Sequence, residues 1–101
     1  MNAGNNKRVL LDLNFDEFQS ELFELDIQEI KKMFKTFRKL RAMTWNEVFK
    51  DNGIKWEEIK SLPNKYTIRL SQSYRAVVVR VGNLMRFQAL HRDHDATYGK
   101  K

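Results

Sequence analysis

The chain has no cysteine, so disulfide bonds and thiolate metal sites are excluded. Proline occurs once, at Pro63, and no low-complexity stretch or internal repeat is present. Nothing therefore marks an interdomain linker. Long apolar runs are missing too: the longest, "VLLDL" and "AVVV", fall far short of the roughly 20 residues that span a bilayer. The opening "MNAGNN" has no apolar core of the kind a secretory signal needs, so a cytoplasmic protein with no membrane contact is expected.

Charge of one sign is also absent from whole stretches. Residues 11–30 carry seven acids and no base, and residues 31–41 carry six bases and no acid. From Ile59 to the end, nine bases face only Asp93 and Asp95. The net charge of +6 is thus an average over segregated blocks. The excess of seven positive charges in the last 43 residues, nine bases less two acids, favours a polyanionic partner, nucleic acid or acidic protein. Plain solubility is the competing reading.

What is present suffices for one core: 101 residues, 42% hydrophobic and 12% aromatic, fit a single domain. That domain is expected over residues 8–101 behind a frayed end at residues 1–7. "RVLLDL" (Arg8 to Leu13) is short and apolar between polar neighbours and predicts a strand. Asn14 with Glu17 three residues on predicts a capped helix start, with Phe15, Phe18 and Leu22 on one face. Asp26 and Glu29 repeat that arrangement, and Ile27, Ile30, Phe34 and Phe37, with Met33 and Leu40, form the apolar stripe of a second helix. Thr44 and Glu47 cap a third, short helix expected to end at Gly53. "IKWEEIKSLP" is expected to add a further helical turn before Pro63. Trp45 and Trp56 are expected in the core.

After Pro63 the apolar period becomes two. "YTIRL", "YRAVVVRV" and "LMRFQALH" predict three strands, the last two joined by a tight turn at Gly82 and Asn83. That turn pairs Val81 with Leu84, Val78 with Phe87 and Arg75 with Leu90. Ala76, Val78, Met85, Phe87 and Ala89 then share the core face, with Arg75, Arg86 and Gln88 opposite. If Ser71 to Ser73 form a three-residue loop, Ile68 faces Ala76 and Arg69 faces Arg75. Two facing arginines repel, at a cost of roughly 0.2–1 kcal/mol, which points to a bound anion. The alternative is that both side chains fan out into water.

The chain closes on "HRDHDATY" (His91 to Tyr98). Read as a metal cluster it offers His91, His94, Asp93 and Asp95, but it matches no fixed ligand spacing and lies among arginines that oppose a cation. No metal and no cofactor is expected. Read as a phosphodiester-cleaving site it fits better. Attack of an RNA 2′-hydroxyl on the adjacent phosphate needs proton acceptors and donors and cations for the crowded transition state. Arg69, Arg75 and Arg92 offer planar donor forks, and a histidine or tyrosine can move protons.

The order of strand, helical hairpin and antiparallel strands resembles the RelE/ParE superfamily of bacterial toxins. The resemblance is carried by "LLDLNFDEFQSELFELDIQEIKKMF", by "LPNKYTIRLSQSYRAVVVRV" and by "ALHRDHDATY", where a basic residue precedes a tyrosine by six. It implies an α+β fold, an antiparallel-dominated sheet of the N-terminal strand and three C-terminal strands packed by the helical hairpin. It implies a type II toxin–antitoxin toxin, a metal-independent endoribonuclease that cuts mRNA on the ribosome and inhibits translation. Its partners would then be a cognate antitoxin, mRNA and ribosomal RNA. By position, Arg75, Arg92 and Tyr98 become catalytic, with His91 or His94 as general acid. Arg69, Lys65, Arg86 and Gln88 become substrate-binding, and Lys31, Lys32, Lys35 and Lys39 dock on ribosomal RNA. Departures are Thr67, where some active relatives have a lysine, and the Trp-containing stretch from Thr44 to Glu58. Gyrase-inhibiting members share the fold without the cleaving set, so a non-enzymatic inhibitor of DNA gyrase, or a basic nucleic-acid-binding module, remains the alternative.

Overall fold

A computed structural model of the chain describes residues 3–92. It is an α+β fold: strand β1 (Leu10–Asp12), helices α1 (Asp16–Phe23), α2 (Ile27–Arg41) and α3 (Trp45–Lys50), then strands β2 (Glu57–Glu58), β3 (Tyr66–Arg69), β4 (Tyr74–Val81) and β5 (Leu84–Arg92). The five strands form one sheet in the order β1-β5-β4-β3-β2. It is antiparallel except where β1 runs parallel beside β5. The parallel pair follows from the helices between β1 and β2, which supply the long crossover such a pair needs.

Local chemistry explains most of the element boundaries. Asp26 caps α2 by accepting from Glu29 N–H at 2.9 Å. Thr44 and Glu47 form a reciprocal capping box on α3, which satisfies two otherwise orphaned donors. Replacing Thr44 with alanine is expected to cost about 1 kcal/mol, readable as a lower urea midpoint with an unchanged denaturant slope.

Helix α1 departs from expectation. Its N-cap position is Phe15, with no side-chain cap, and the Asn14 N–H instead donates back to Asp12 Oδ1 at 3.1 Å. Along α2 only Met33, Phe37 and Leu40 of the expected stripe are buried; Ile27 and Phe34 are exposed. The apolar arc of α2 is wider than the surface the sheet offers it.

Gly53 does not end α3, which stops at Lys50 with Asp51 as C-cap. The further helical turn is absent as well: Glu57 and Glu58 form β2, with Glu57 opposite Thr67 and Glu58 opposite Tyr66. Edge pairing to β3 satisfies this segment's backbone, an alternative that helical propensity alone does not show. Ahead of β1, Ala3–Asn6 forms a short 3-10 helix where a loose end was expected. Arg80 holds it by donating to Asn5 Oδ1 at 2.8 Å and to the Gly4 carbonyl at 3.2 Å.

The core lies between the helices and one sheet face. Phe87 is its centre, with ring centroids 5.3 Å from Phe18 of α1 and 5.5 Å from Phe37 of α2. Ile68, Ala76, Val78, Met85 and Leu90 complete the buried sheet side. A second aromatic group stands at the other end. Trp45 is fully buried, Trp56 meets it edge-on at 5.4 Å, and Trp56 stacks on Tyr66 at 4.5 Å. Over Trp45 lies the Arg80 guanidinium, 4.2 Å from the ring centroid. Burial there works against the charge and holds the Arg80 pKa below its ordinary value, with the Coulombic interaction with Tyr66 acting the other way.

The turn at Gly82 forms as expected, with Gly82 at φ +60° and Val81 opposite Leu84. Pairing holds through Val78 and Phe87, then shifts by one between Val77 and Val78. Val77 faces Ala89 instead of Gln88, so Arg75 faces His91 and not Leu90. This β-bulge puts Leu90, not Ala89, into the core. A bulge reverses side-chain alternation beyond it, and strict period-two counting carries no sign of one.

No helix of the described residues is long and apolar enough to cross a membrane.

Candidate functional site

The sheet face away from the helices carries the polar residues singled out in the sequence. Alternation along β3, β4 and β5 sends Thr67, Arg69, Arg75, Val77, Val79, Ala89 and His91 to this side, and none of them is fully buried. The loop Ser71 to Ser73 has the expected span, with Leu70 N–H donating to the Tyr74 carbonyl at 3.0 Å. Arg69 accordingly faces Arg75 across β3 and β4. The bulge then brings His91 opposite Arg75 on the other flank. Arg69, Arg75 and His91 thus form one row across three adjacent strands. Directly opposed residues in such a ladder have Cα atoms about 4.5–5.5 Å apart.

Arg75 is the most constrained member of the row. Its side chain is only 12% exposed. One nitrogen, Nη2, donates to Thr67 Oγ1 at 2.7 Å, to Glu57 Oε1 at 3.2 Å and to the Lys55 carbonyl at 3.3 Å. The other, Nη1, is buried and has no partner. Half of the donor fork is therefore anchored and half is unused. Glu57 and Thr67 were missed as site residues. Thr67 stood out only as a departure from the family pattern, and Glu57 was assigned to a helix. The available signal was the short span between Gly53 and Pro63, too brief for a well-formed helix.

Arg92 is not part of this row. It pairs with Tyr74 and lies with its guanidinium 5.4 Å from the Tyr74 ring centroid. Alternation places it on the opposite side of the sheet from His91. There it lines a cavity of about 410 Å³ with Tyr74, Ser73, Glu24, Asp26 and Glu29. Lys65, half-buried, precedes β3 on the alternation of Thr67 and Arg69. Arg86 lies farther along the same sheet face and forms an ion pair with Asp12 of β1 at 3.1 Å. Gln88 is the residue the bulge leaves unopposed, and its Oε1 is buried without a partner. His94 and Tyr98, with Asp93 and Asp95, lie outside the described residues. Among the described residues, no three His, Cys, Asp or Glu side chains are grouped so as to hold a metal ion.

Lys31, Lys32, Lys35 and Lys39 are exposed on α2. Lys39 reaches Asp51 at 3.2 Å and, with Arg69, lines a cleft of about 180 Å³ beside Thr36, Ser71 and Gln72. Helix α2 and the arginine row therefore meet at one edge. Burial pulls the Asp51 pKa up, but hydrogen bonds from Ile54 N–H, Lys39 and Gly53 N–H, with the Lys39 charge, outweigh it and the net shift is downward. A lowered folded-state pKa contributes stability that is complete above the unfolded value and is lost as pH falls through the folded one. Asp51→Asn is therefore expected to lower the urea midpoint at about pH 6, with the gap to the wild type closing below about pH 3.

No protein-family model matches the chain, and no curated protein and no solved structure matches it significantly.

Proposed function

We propose that this chain is the toxin of a type II toxin–antitoxin pair, of the RelE/ParE kind, and cleaves messenger RNA on the ribosome. One observation carries the reading: Arg69, Arg75 and His91 stand side by side across β3, β4 and β5. Glu57 already meets one side of Arg75; the buried, unpartnered Nη1 of Arg75, facing Arg69 across the strands, leaves a place for a phosphodiester, whose oxygens match planar guanidinium forks.

In the reaction a 2′-hydroxyl gives its proton to a base and its oxygen attacks the neighbouring phosphorus. The bond to the 5′-oxygen breaks, and that oxygen takes a proton. The products are a 2′,3′-cyclic phosphate and a 5′-hydroxyl. Arg69 and Arg75 neutralise the charge that builds on the equatorial oxygens, and His91 delivers the proton to the leaving oxygen as general acid. The closing segment with His94 and Tyr98 supplies the proton acceptor and a ring against the base. Arg92, across the sheet from the row, contributes long-range positive charge rather than a direct contact. Exposed lysines of α2, continuous with Arg69 through the Lys39 cleft, dock on ribosomal RNA.

A second reading draws on the Arg75 contacts. An arginine already held by Glu57 and Thr67 is well suited to a structural role, as in a non-enzymatic inhibitor of DNA gyrase. Primer extension on messages from cells expressing the wild type, Arg69→Ala or His91→Ala separates the two. The nuclease predicts cuts at fixed codon positions that fade in both variants. Growth arrest with intact messages and broken DNA would overturn it in favour of the inhibitor.

A further inference from the structure

We infer that the notch between the end of β1 and the bulge of β5 is a nucleobase subsite that prefers an adenine-type base. This rests on the RNA-cleaving reading, because the notch opens beside the same sheet face.

β1 stops at Asp12 while β5 continues past its partner, Arg86, which leaves a gap along the β5 edge. Asp12, Asn14, Phe15, Arg86, Phe87 and Gln88 line it, and they enclose about 210 Å³. Asp12 and Arg86 neutralise each other at 3.1 Å, so the notch suits an uncharged ring better than a free anion. Phe15 is 48% exposed, large for an aromatic side chain beside a cleft, and it offers a stacking face.

Gln88 supplies the polar recognition. The bulge takes it out of the ladder, and bulges commonly re-aim a side chain beside a functional site. Its Oε1 is shut away from solvent with no donor, an unfavourable state for an amide. Rotation of the amide toward the cleft that Gln88 lines relieves it, provided the occupant brings an N–H. An adenine does so: its exocyclic amine donates to Oε1 while N7 accepts from the amide nitrogen, the pairing that Gln makes with adenine elsewhere. Uracil meets the same amide through N3–H and O4 but offers Phe15 only a single ring, so the purine's larger stacking face sets the preference. From Arg86 to His91 along β5 is roughly 16 Å. The notch therefore reads a base a few nucleotides from the bond that the arginine row addresses.

The test is titration of the isotopically labelled chain with adenosine, uridine and ribose 5-phosphates, followed by amide NMR. AMP is expected to shift Asn14, Arg86 and the Gln88 side-chain amide saturably, with UMP about tenfold weaker. Gln88→Leu removes an orphaned acceptor, so it should fold, keep weak stacking affinity and weaken AMP and UMP together. Phe15→Ala, at an exposed position, should remove the preference for AMP over UMP. The inference is overturned if the nucleotides cause no saturable shift at these residues, if ribose 5-phosphate reproduces the AMP shifts, or if Phe15→Ala keeps the preference. The readout needs no RNA cleavage. AMP binding without message cleavage would refute the nuclease and leave the subsite, and the reverse result would refute the subsite alone.

Discussion

Arg75→Ala is expected to lower message cleavage by about 100- to 1000-fold, the loss typical when a donor to the developing transition-state charge is removed. Arg75 stands at the middle of the row, between Arg69 and His91, so no neighbour can take over its position. Its Nη2 is held by Thr67 and Glu57, which fixes the guanidinium plane before substrate arrives. Such preorganisation avoids reorganisation during the reaction. Arg75→Lys keeps the charge and loses the fork, and should fall between wild type and alanine. The truncation also removes a mostly buried side chain and its bonds to Thr67 and the Lys55 carbonyl, so the melting temperature should fall as well, and cleavage is compared at a temperature where both chains are folded. Cleavage by purified chain on programmed ribosomes, paired with a thermal melt, makes the distinction. Unchanged cleavage in Arg75→Ala would mean that the arginine is a structural tie and would remove the main support for the nuclease.

Trp45→Ala is expected to cost about 3–5 kcal/mol, a fall of roughly 20 °C in melting temperature for a domain of this size. Three losses coincide at this residue. The fully buried indole leaves a large cavity beside Phe49 and Trp56. Its Nε1–H no longer satisfies the Asn83 carbonyl, to which it donates at 3.0 Å. Arg80 loses the ring beneath its guanidinium, a contact worth about 0.5–2 kcal/mol, and with it the platform that orients its bonds to Gly4 and Asn5. Domains of this kind have only about 5–15 kcal/mol in total, so the variant should be close to its folding limit at 37 °C. Calorimetry checks the shift. A melting temperature within a few degrees of wild type would mean that the aromatic cluster is a loose flank and not a second core.

Much of the architecture was legible from pattern. The cap at Thr44 and Glu47, the turn at Gly82 and Asn83 and the three-residue loop before Tyr74 are local events, decided by a few residues each. They specify their own hydrogen bonds wherever the rest of the chain goes. The facing of Arg69 and Arg75 followed from the loop length and one buried isoleucine, Ile68.

The candidate site was only half legible. Arg92 resembled a member of the arginine group because it follows His91 in the chain, yet adjacent residues on a strand point to opposite faces, and Arg92 lies over Tyr74. His91 came to face Arg75 through a bulge that leaves no mark in period-two counting. Glu57 reached Arg75 through a two-residue strand, too short to have a period at all.

The sequence by itself determined the element types after Pro63, the caps of α2 and α3, and the segregation of charge along the chain, because each depends on neighbours within a few residues. Only the tertiary structure decided which cations share a face, which acid holds Arg75, and that Gln88 is left with an unmet acceptor beside a notch. Those depend on register summed along whole strands and on pairing between segments far apart in the chain, where one extra residue in β5 changes the side on which every later side chain stands.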